Sequence, residues 1–530
     1  MASLSAAAAA AAAGGRVAAG DPRSVLHGAA IDSRQVAGRG ELFFAFAGAQ
    51  ADGHRFVGDA FRRGAGGVVV QDLDAAAASW PALHEAAAAP GAVIQVADTF
   101  AALHAVARRV RERVPRRLVG ITGSAGKTTT KELLAAMLGA RFRVASSPGN
   151  FNNLYGFPLS LLNVPDDAEW MVAEMGMSTP GELRQLSLLG RPDVALFTVV
   201  RPAHLEFFDS LRGIAEAKAE LLAGLAPDGL VVANAGDAEV VRIARTYAGT
   251  RRVIWYGLAE AAAAAAAATV AEEAEAGGAP PPDVAASRRP LDVAASAPSL
   301  DVAAYAPSLD VAASAPSLDV TAYEVAPGPG GLGSRFVLAA GGERQEVTLA
   351  LHGLYNVENC LAAAAVAAAL GVPLPAIAAA AAAARPSAGR GVVHQVSGRH
   401  GRATVIDDSY NSNPDALEKA LAGAAQLPAA RRLAVLGDML ELGPEAARYH
   451  REGGRTAARL GFSPIAGVGE LARELVAGAL EGGAEADWCG GAAAAAGWAA
   501  ARLRSDDVVL VKGSRGVGLD AVVRRLLEGA

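Results

Sequence analysis

The sequence contains few cysteines and no excess of basic residues, and each shortage excludes a class of protein. The two cysteines, Cys360 and Cys489, lie far apart and have no second thiol or histidine at metal-site spacing. We therefore expect neither a disulfide framework nor a zinc centre, and the reducing cytoplasm is the expected compartment. The net charge is −6, with acidic and basic residues mixed along the chain. Because nucleic-acid binding needs a basic face or tail, no nucleic-acid partner is expected.

Strongly apolar runs long enough to cross a bilayer are also missing. The N-terminal run Ser5–Ala13 is short and has no basic residues ahead of it, which is not the pattern of a signal peptide. The other alanine-rich runs are too weakly hydrophobic to form transmembrane helices. We predict a soluble cytoplasmic protein without membrane insertion, and we expect it to act as a monomer.

Strand-like and helix-like segments alternate along the 530 residues of the chain. This length allows about three domains. We predict a disordered alanine-rich tail over residues 1–20, an N-terminal domain over 21–115, a central domain over 116–385 and a C-terminal domain over 386–530. The alternation favours an α/β fold, with a doubly wound, mainly parallel sheet in the central domain and a Rossmann-like C-terminal domain.

A low-complexity insert over residues 258–325 interrupts the central domain. Near-copies of a nine-residue unit begin at Asp283, Asp292, Asp301, Asp310 and Asp319. A solenoid is one interpretation of such a repeat. Each copy, however, offers only Leu and Val to a core, and most contain a helix-breaking proline. We therefore predict a disordered or loosely extended segment without chemistry of its own.

A glycine-rich turn connects the apolar run Leu118–Ile121 to the helical segment Thr129–Leu138. The turn consists of Thr122, Gly123, Ser124, Ala125, Gly126, Lys127, Thr128 and Thr129. Its glycines let backbone N–H groups approach phosphate oxygens at the positive end of a helix. Lys127 would neutralise the β- and γ-phosphates, and the Thr128 hydroxyl would bind Mg²⁺. Ile121 stands where the common phosphate-binding loop has its first glycine. The pattern predicts nucleotide binding but does not distinguish a kinase, motor, switch or ligase.

Three polar residues follow this turn at positions that can carry chemistry. Glu174 follows the strand-like run Trp170–Ala173, and His204 comes soon after Val194–Val200. Carboxylates at the carboxyl end of a parallel strand can reach a metal bound to phosphates. Lys218 lies on a predicted helix. Taken singly, these residues are also compatible with a solvated carboxylate, a structural histidine and a surface lysine.

The order of the motifs resembles that of the Mur ligases of peptidoglycan synthesis. The matching segments are Thr122–Thr129, Asn150–Pro158, Glu174–Gly176, Pro202–Glu206 and Ala217–Lys218. Two later segments, Asp407–Pro414 and Val435–Gly443, are similar to the family member that adds the terminal dipeptide. The Asp-Asn-Pro-Arg motif expected of the member that adds the third amino acid does not occur in the sequence.

The resemblance implies an ATP-dependent, ADP-forming ligase that uses ATP and two Mg²⁺ ions. Its substrates would be UDP-N-acetylmuramoyl-tripeptide, bound by the N-terminal domain, and D-alanyl-D-alanine. The terminal carboxylate of the tripeptide would attack the γ-phosphate, giving an acyl phosphate and ADP. The dipeptide amine would then displace phosphate. The C-terminal domain would bind the dipeptide and close over the nucleotide, which excludes water from the acyl phosphate.

The resemblance also assigns roles to individual residues. Lys127, His204 and Lys218 would be catalytic, and Lys218 would be carbamylated. Mg²⁺ would be held by Thr128, Glu174, His204 and Lys218, while Asn356 and Asp408 would contact adenine and ribose. Substrate contacts would come from Ser33, Arg34, Asp52, His54, Asn152, Asn153, Tyr410, Asn411 and Asn413.

Two segments beside the expected metal site depart from the family pattern. Val199–Arg201 replaces the usual Asn-Ile-Gly or Asn-Ile-Ala, and Phe207–Asp209 replaces Gly-Phe-Gly. Two other functions stay open. A folylpolyglutamate-type ligase would share the phosphate-binding turn without the uridine-binding segments, and a regulator would bind ATP without ligating anything.

Overall fold

The computed structural model describes residues 3–48, 51–80, 91–114, 116–202, 205–259, 261, 316–398 and 401–528. These residues form three α/β domains, each built on a largely parallel sheet. Among the described residues, no helix is long and apolar enough to cross a membrane.

The N-terminal domain has a five-stranded sheet in the order β2-β7-β6-β5-β4, with β2 antiparallel to β7. Its elements are β1 Ser3–Ser5, α1 Ala6–Ala12, β2 Arg16–Ala19, β3 Val25–His27, β4 Ala29–Ala30, β5 Leu42–Phe44, α2 Val57–Arg62, β6 Gly67–Val70, α3 Leu73–Ser79, β7 Ala92–Gln95 and α4 Thr99–Arg113. Strands β1 and β3 pair separately.

The predicted disordered tail over residues 1–20 is wrong for the part that the structure describes. Ser5 caps α1 by accepting a hydrogen bond from the Ala8 amide (3.2 Å). Ala6, Ala9 and Ala10 are buried in the core that also contains residues of α4. Alanine has the highest helix propensity, and its short side chain lets a helix pack closely. Composition alone therefore misled the prediction.

The central domain contains a nine-stranded sheet among the described residues, in the order β16-β15-β14-β13-β12-β11-β8-β10-β9. Its elements are β8 Arg117–Thr122, α5 Lys127–Gly139, β9 Val144–Ser146, α6 Gly156–Asn163, β10 Trp170–Glu174, α7 Glu182–Gly190, β11 Val194–Phe197, α8 Leu211–Ala219, β12 Leu230–Asn234, α9 Ala238–Tyr247, β13 Val253–Leu258, β14 Val320–Pro327, β15 Ser334–Ala340, β16 Glu343–Leu349, α10 Leu354–Ala369 and α11 Leu374–Ala383. Strands β14, β15 and β16 form an antiparallel extension.

The insert predicted over residues 258–325 ends earlier than expected. Strand β14 starts at Val320 and runs parallel to β13. Its Val320 and Ala322 side chains are buried, and the Asp319 carboxylate accepts a hydrogen bond from the Trp255 amide (2.8 Å). The last repeat copy therefore joins the sheet because its alternating apolar residues have a core to face. The earlier copies lie outside the described residues.

Strand β8 lies between β10 and β11, and all three run parallel. The sheet order reverses here, because β10 follows on one side of β8 and β11 on the other. The Met175 amide donates to the Ile121 carbonyl (2.8 Å), and the Thr198 amide donates to the Thr122 carbonyl (3.0 Å). In open α/β sheets, ligands bind in the crevice at such a switch point.

The C-terminal domain has a six-stranded sheet in the order β17-β18-β22-β19-β20-β21, with β17 antiparallel to β18 and the other pairs parallel. Its elements are β17 Val392–Gly398, β18 Gly401–Asp408, α12 Pro414–Ala425, β19 Arg431–Gly437, α13 Ala446–Arg459, β20 Phe462–Val468, α14 Ala472–Glu481, β21 Ala486–Cys489, α15 Ala492–Arg502, β22 Asp507–Lys512 and α16 Asp520–Glu528.

Candidate active site

The turn between β8 and α5 forms a preshaped anion cradle. Gly123 and Gly126 adopt φ angles of +149° and +83°, which disfavour side chains. A Cβ on Gly123 would also overlap the Thr198 hydroxyl, which donates to the Ala125 carbonyl (2.6 Å). Lys127 begins α5, and its Nζ donates back to the Gly123 carbonyl (2.6 Å). These contacts fix the conformation of the turn.

Burial lowers the pKa of Lys127 from its ordinary value, and the negative charge of Glu174 partly offsets this effect. A positive charge held in this loop can stabilise phosphate oxygens more strongly than it could in water. The role of Lys127 at the phosphates stays a prediction.

Glu174 ends strand β10 with 1% of its side chain exposed. Its Oε2 accepts a hydrogen bond from Asn152 Nδ2 (3.4 Å), so the structure brings these two predicted residues together. Its Oε1 lies 3.4 Å from Lys131 Nζ but accepts no hydrogen bond from any described residue. Lys131 was missed from the sequence, although its position one helical turn after Lys127 places both ammonium groups on one face of α5.

Lys218, on α8, is buried rather than being a surface lysine. Its side chain is 3% exposed, and no described residue forms a hydrogen bond or ion pair with its ammonium group. Burial, followed by the positive charge of Lys127, lowers the pKa of Lys218 well below its ordinary value. The described surroundings therefore disfavour the charged form of this amine.

Two further metal ligands, His204 and Thr128, were predicted from the family resemblance. His204 lies outside the described residues, and Thr128 is buried in the first turn of α5. Among the described residues, no group of three or more His, Cys, Asp or Glu side chains could hold a metal ion. The metal site therefore stays a prediction.

Arg201, one of the residues that depart from the family pattern, connects two parts of the site. Its backbone amide donates to Ser124 Oγ (3.0 Å), which in turn donates to the Arg201 carbonyl (2.9 Å). Its guanidinium pairs with Asp237 of the central domain and, at 3.0 Å, with Asp415 of the C-terminal domain. The altered segment therefore bridges the phosphate-binding loop and the facing domain.

A cleft that is partly open to solvent lies between the central and C-terminal domains. It gathers residues predicted separately from distant parts of the sequence. These are Ser124, Ala125, Gly126 and Thr129 from the loop, Asn356 from α10, and Asp408, Tyr410, Asn411 and Asn413 from the C-terminal domain. The predicted nucleotide-binding residues therefore share one site with those predicted to bind the second substrate.

The C-terminal wall of the cleft is held by basic residues. Lys512 Nζ donates to Asp408 Oδ2 (2.6 Å) and to the Asn411 carbonyl (2.9 Å). The guanidinium carbons of Arg390 and Arg515 lie 4.1 Å and 5.3 Å from the centre of the Tyr410 ring. Such stacking contacts orient the ring. Lys512 was not among the site residues predicted from the sequence.

Several predicted binding residues make structural hydrogen bonds. Asn413 Oδ1 accepts from the Ala416 amide (2.8 Å) and caps α12. Asn153 Oδ1 accepts from the Gly156 amide (2.8 Å) at the start of α6. Asn356 Nδ2 donates to a backbone carbonyl, that of His352 (2.7 Å). Asparagine at a helix start often has this capping role. The family resemblance identifies the residues but does not show these hydrogen bonds.

The N-terminal residues form two acid-containing loops away from this cleft. Asp32 pairs with Arg34 through bonds of 2.7–3.2 Å, next to the buried Ser33. His54 Nδ1 lies 2.6 Å from Asp52 Oδ1, and its Nε2 accepts from two backbone amides (3.0 and 3.2 Å). Both ring nitrogens of His54 are therefore engaged within the domain. The Arg34 side chain, in contrast, is exposed.

Comparisons with known proteins cover all three domains. Family models described as the Mur ligase family catalytic domain, the Mur ligase middle domain and the Mur ligase glutamate ligase domain match residues 25–111, 121–279 and 389–515. A UDP-N-acetylmuramoyl-tripeptide–D-alanyl-D-alanine ligase from Mycobacterium bovis is 33% identical over 99% of this chain and 98% of that protein. The chain belongs to the Mur ligase family. The resemblance predicted from the motifs is confirmed.

Other Mur ligases match over nearly the same length. A protein of the same name from Bacillus subtilis is 28% identical over 96% of this chain and 94% of that protein. A crystal structure of MurF from Acinetobacter baumannii has a TM-score of 0.76 and 26% identity, covering 100% of this chain and 99% of that one. The predicted three-domain α/β architecture with its central phosphate-binding loop is therefore confirmed as that of a Mur ligase.

Proposed function

We propose that this Mur ligase joins D-alanyl-D-alanine to UDP-N-acetylmuramoyl-tripeptide, with ATP converted to ADP and phosphate, in peptidoglycan precursor synthesis. The names of relatives that match almost the whole chain support this choice of substrates. The observation that carries it is the cleft in which the phosphate-binding loop faces Asp408–Asn413. A site open to both domains can bring a nucleotide, a carboxylate and an amine together.

The residues of the chain would act mainly by positioning and charge neutralisation. ATP phosphates would occupy the turn before α5, where Lys127 Nζ would exchange the Gly123 carbonyl for phosphate oxygens. The tripeptide carboxylate would attack the γ-phosphorus, breaking the bond to ADP and forming an acyl phosphate. The dipeptide amine would then form the amide bond as the phosphate leaves.

Two Mg²⁺ ions are part of this proposal. Glu174 Oε1, buried without a hydrogen bond from the described residues, is a carboxylate oxygen of the kind that Mg²⁺ prefers. Together with Thr128, His204 and a carbamylated Lys218, it would hold the ions. When bound, Mg²⁺ supplies charge neutralisation at the transferring phosphoryl group.

Carbamylation of Lys218 would turn an unpaired amine into an anionic ligand. The neutral amine would add to CO₂, forming an N–C bond and releasing one proton. The depressed pKa of this lysine favours the neutral form that can react. The burial of Lys218 beside Lys127 supports this chemistry, because an anion there would be stabilised by the neighbouring ammonium group.

The domains would divide the substrates between them. Ser33 and Arg34 would bind the uridine diphosphate, since a guanidinium can contact phosphate through two parallel hydrogen bonds. Asp52 and His54 would hold the adjoining loop. Asn356 and Asp408 would contact adenine and ribose, and closure of the C-terminal domain would exclude water. We also infer a cytoplasmic monomer, which sedimentation at micromolar concentration would test.

A coupled ADP-release assay tests the function directly. ADP release should require ATP, Mg²⁺, UDP-N-acetylmuramoyl-tripeptide and D-alanyl-D-alanine together, and mass spectrometry should find the pentapeptide product. A folylpolyglutamate-type ligase would instead turn over a folate with glutamate. ADP release independent of both acceptors, or nucleotide binding without release, would contradict the proposal.

A further inference from the structure

Lysine is scarce in this chain, and its positions are not scattered. Of 48 basic Lys and Arg residues, five are lysines: Lys127, Lys131, Lys218, Lys419 and Lys512. Lys419 and Lys512 line the cleft, and Lys127 and Lys218 belong to the proposed catalytic machinery. Four of the five lysines of a chain that otherwise uses arginine thus line the cleft or belong to the proposed catalytic machinery. Lys131 neither lines the cleft nor has a role in the proposed mechanism.

Lys131 lies on α5 and is 2% exposed. Its Nζ donates to the carbonyl oxygens of Ser147 (2.7 Å) and Gly149 (2.9 Å). The same nitrogen lies 3.4 Å from Glu174 Oε1. One ammonium group therefore connects the nucleotide-binding helix, the loop after β9 and the carboxyl end of β10.

We propose that Lys131 is a positioning residue for the ligation reaction, acting through Glu174 and the loop that begins at Ser147. That loop continues to Asn152, which donates to the other oxygen of Glu174. Lys131 and Asn152 thus hold the carboxylate from two sides. This inference rests on the proposed function, because it concerns the site where phosphoryl transfer would occur.

An ammonium group suits this position better than a guanidinium. It is a compact charge with three donors that can point in different directions, whereas arginine presents a larger planar fork. The space around Lys131 is closed, and larger side chains in closed sites force neighbouring atoms to move. The arginine substitution should therefore displace Glu174 or the loop even though it retains the charge.

The test compares Lys131→Met and Lys131→Arg with wild type and Arg141→Met. Arg141 is a suitable control because its exposed guanidinium also donates to backbone carbonyls, those of Leu370 and Gly371, at the far end of α5. Thermal unfolding and the stoichiometry of ATP-analogue binding define the folded, nucleotide-binding fraction. The kcat for ADP release is then expressed per competent site.

We expect kcat per competent site to fall about 100-fold in both Lys131 variants, as expected for a misplaced reactive group, and to be unchanged in Arg141→Met. Lys131→Met combined with Glu174→Gln should be no slower than Glu174→Gln alone, because both changes act through one carboxylate. A wild-type kcat per competent site in either Lys131 variant, or additive losses, would overturn the inference. Lack of dipeptide-dependent ADP release by the wild type would instead contradict the proposed function.

Discussion

Lys218 is the residue whose environment has the clearest chemical consequence. Its amine is buried, unpaired among the described residues and close enough to Lys127 to have its pKa lowered. A buried lysine without a counter-ion is costly, so covalent conversion to an anion would relieve an unfavourable like-charge contact.

Lys218→Ala should lower kcat on the order of 100-fold, the loss typical when one charge-stabilising group is removed from an active site. Short carboxylates such as formate or acetate should restore part of the activity, since they can occupy the position of the missing carbamate. Arg212→Ala, on the exposed side of the same helix, is the control for helix stability. Full activity of Lys218→Ala without an added carboxylate would exclude the carbamate. An equal increase in the activity of the wild type on adding the carboxylate would exclude it as well.

Lys127→Ala should abolish ADP release, because the loop would lose its cation while keeping its backbone amides. ATP-analogue binding by calorimetry should weaken but stay measurable, since those amides still face the phosphates. Unchanged turnover in this variant would mean that ATP is bound elsewhere.

The position of the glycine-rich turn between β8 and α5 could be predicted because its pattern is local in the sequence. Burial could not, since it depends on what packs over a residue. In the sequence, Lys218 therefore looks like a surface lysine of α8. Lys131 was missed although it lies close to Glu174 in the structure. The structural hydrogen bonds of Asn153 and His54 were hidden for the same reason, because a motif identifies residues without showing where their hydrogen bonds go.

At the scale of elements, α12 connects the cleft to the C-terminal core. The loop Asp408–Asn413 forms one wall of the cleft and ends in the Asn413 cap, so the helix start fixes the wall. An N-cap contributes about 1 kcal/mol, and aspartate can replace asparagine in that role.

Asn413→Ala should lower the free energy of unfolding by about 1 kcal/mol in urea titrations, whereas Asn413→Asp should preserve it. If Asn413 only caps α12, the Asp variant should also keep wild-type KM values for ATP and the dipeptide. A raised KM in the Asp variant at unchanged stability would show that the side chain contacts a substrate.

Element prediction worked best for the parallel strands, whose continuous apolar runs end in short polar turns. Strands β8, β10 and β11 were located within a few residues. The antiparallel strands β14–β16 and the helix α1 were not predicted, because alternating or alanine-rich segments gain their stability from a partner surface that the sequence does not reveal.

At the scale of the whole molecule, charged groups hold the two walls of the cleft together. Lys419 pairs with Glu358 of the central domain (3.7 Å) and with Asp415 of its own domain (3.3 Å). With Arg201 and Asp237 they form a network of three acids and two bases across the domain boundary. The closure that we propose would therefore depend on charge balance as well as on ligand binding.

Arg201→Gln should favour separation of the domains, because the buried Asp237 and the nearby Asp415 would lose their shared cation. Small-angle scattering with an ATP analogue and tripeptide substrate should give a larger radius of gyration than for wild type, and KM for the dipeptide should rise. Arg242→Gln, which removes a pair confined to α9, should change neither quantity. Equal scattering curves for Arg201→Gln and wild type would contradict this role.

The five lysines, two of which line the cleft, limit where a reagent that attacks amines can modify the protein. Apart from the N-terminal amine, an acylating reagent finds primary amines only at the five lysines. Three of these lysines, Lys131, Lys419 and Lys512, form ion pairs, and Lys419 has the most exposed side chain of the three. Attachment to a surface or a dye through Lys419 would therefore modify the wall of the cleft itself.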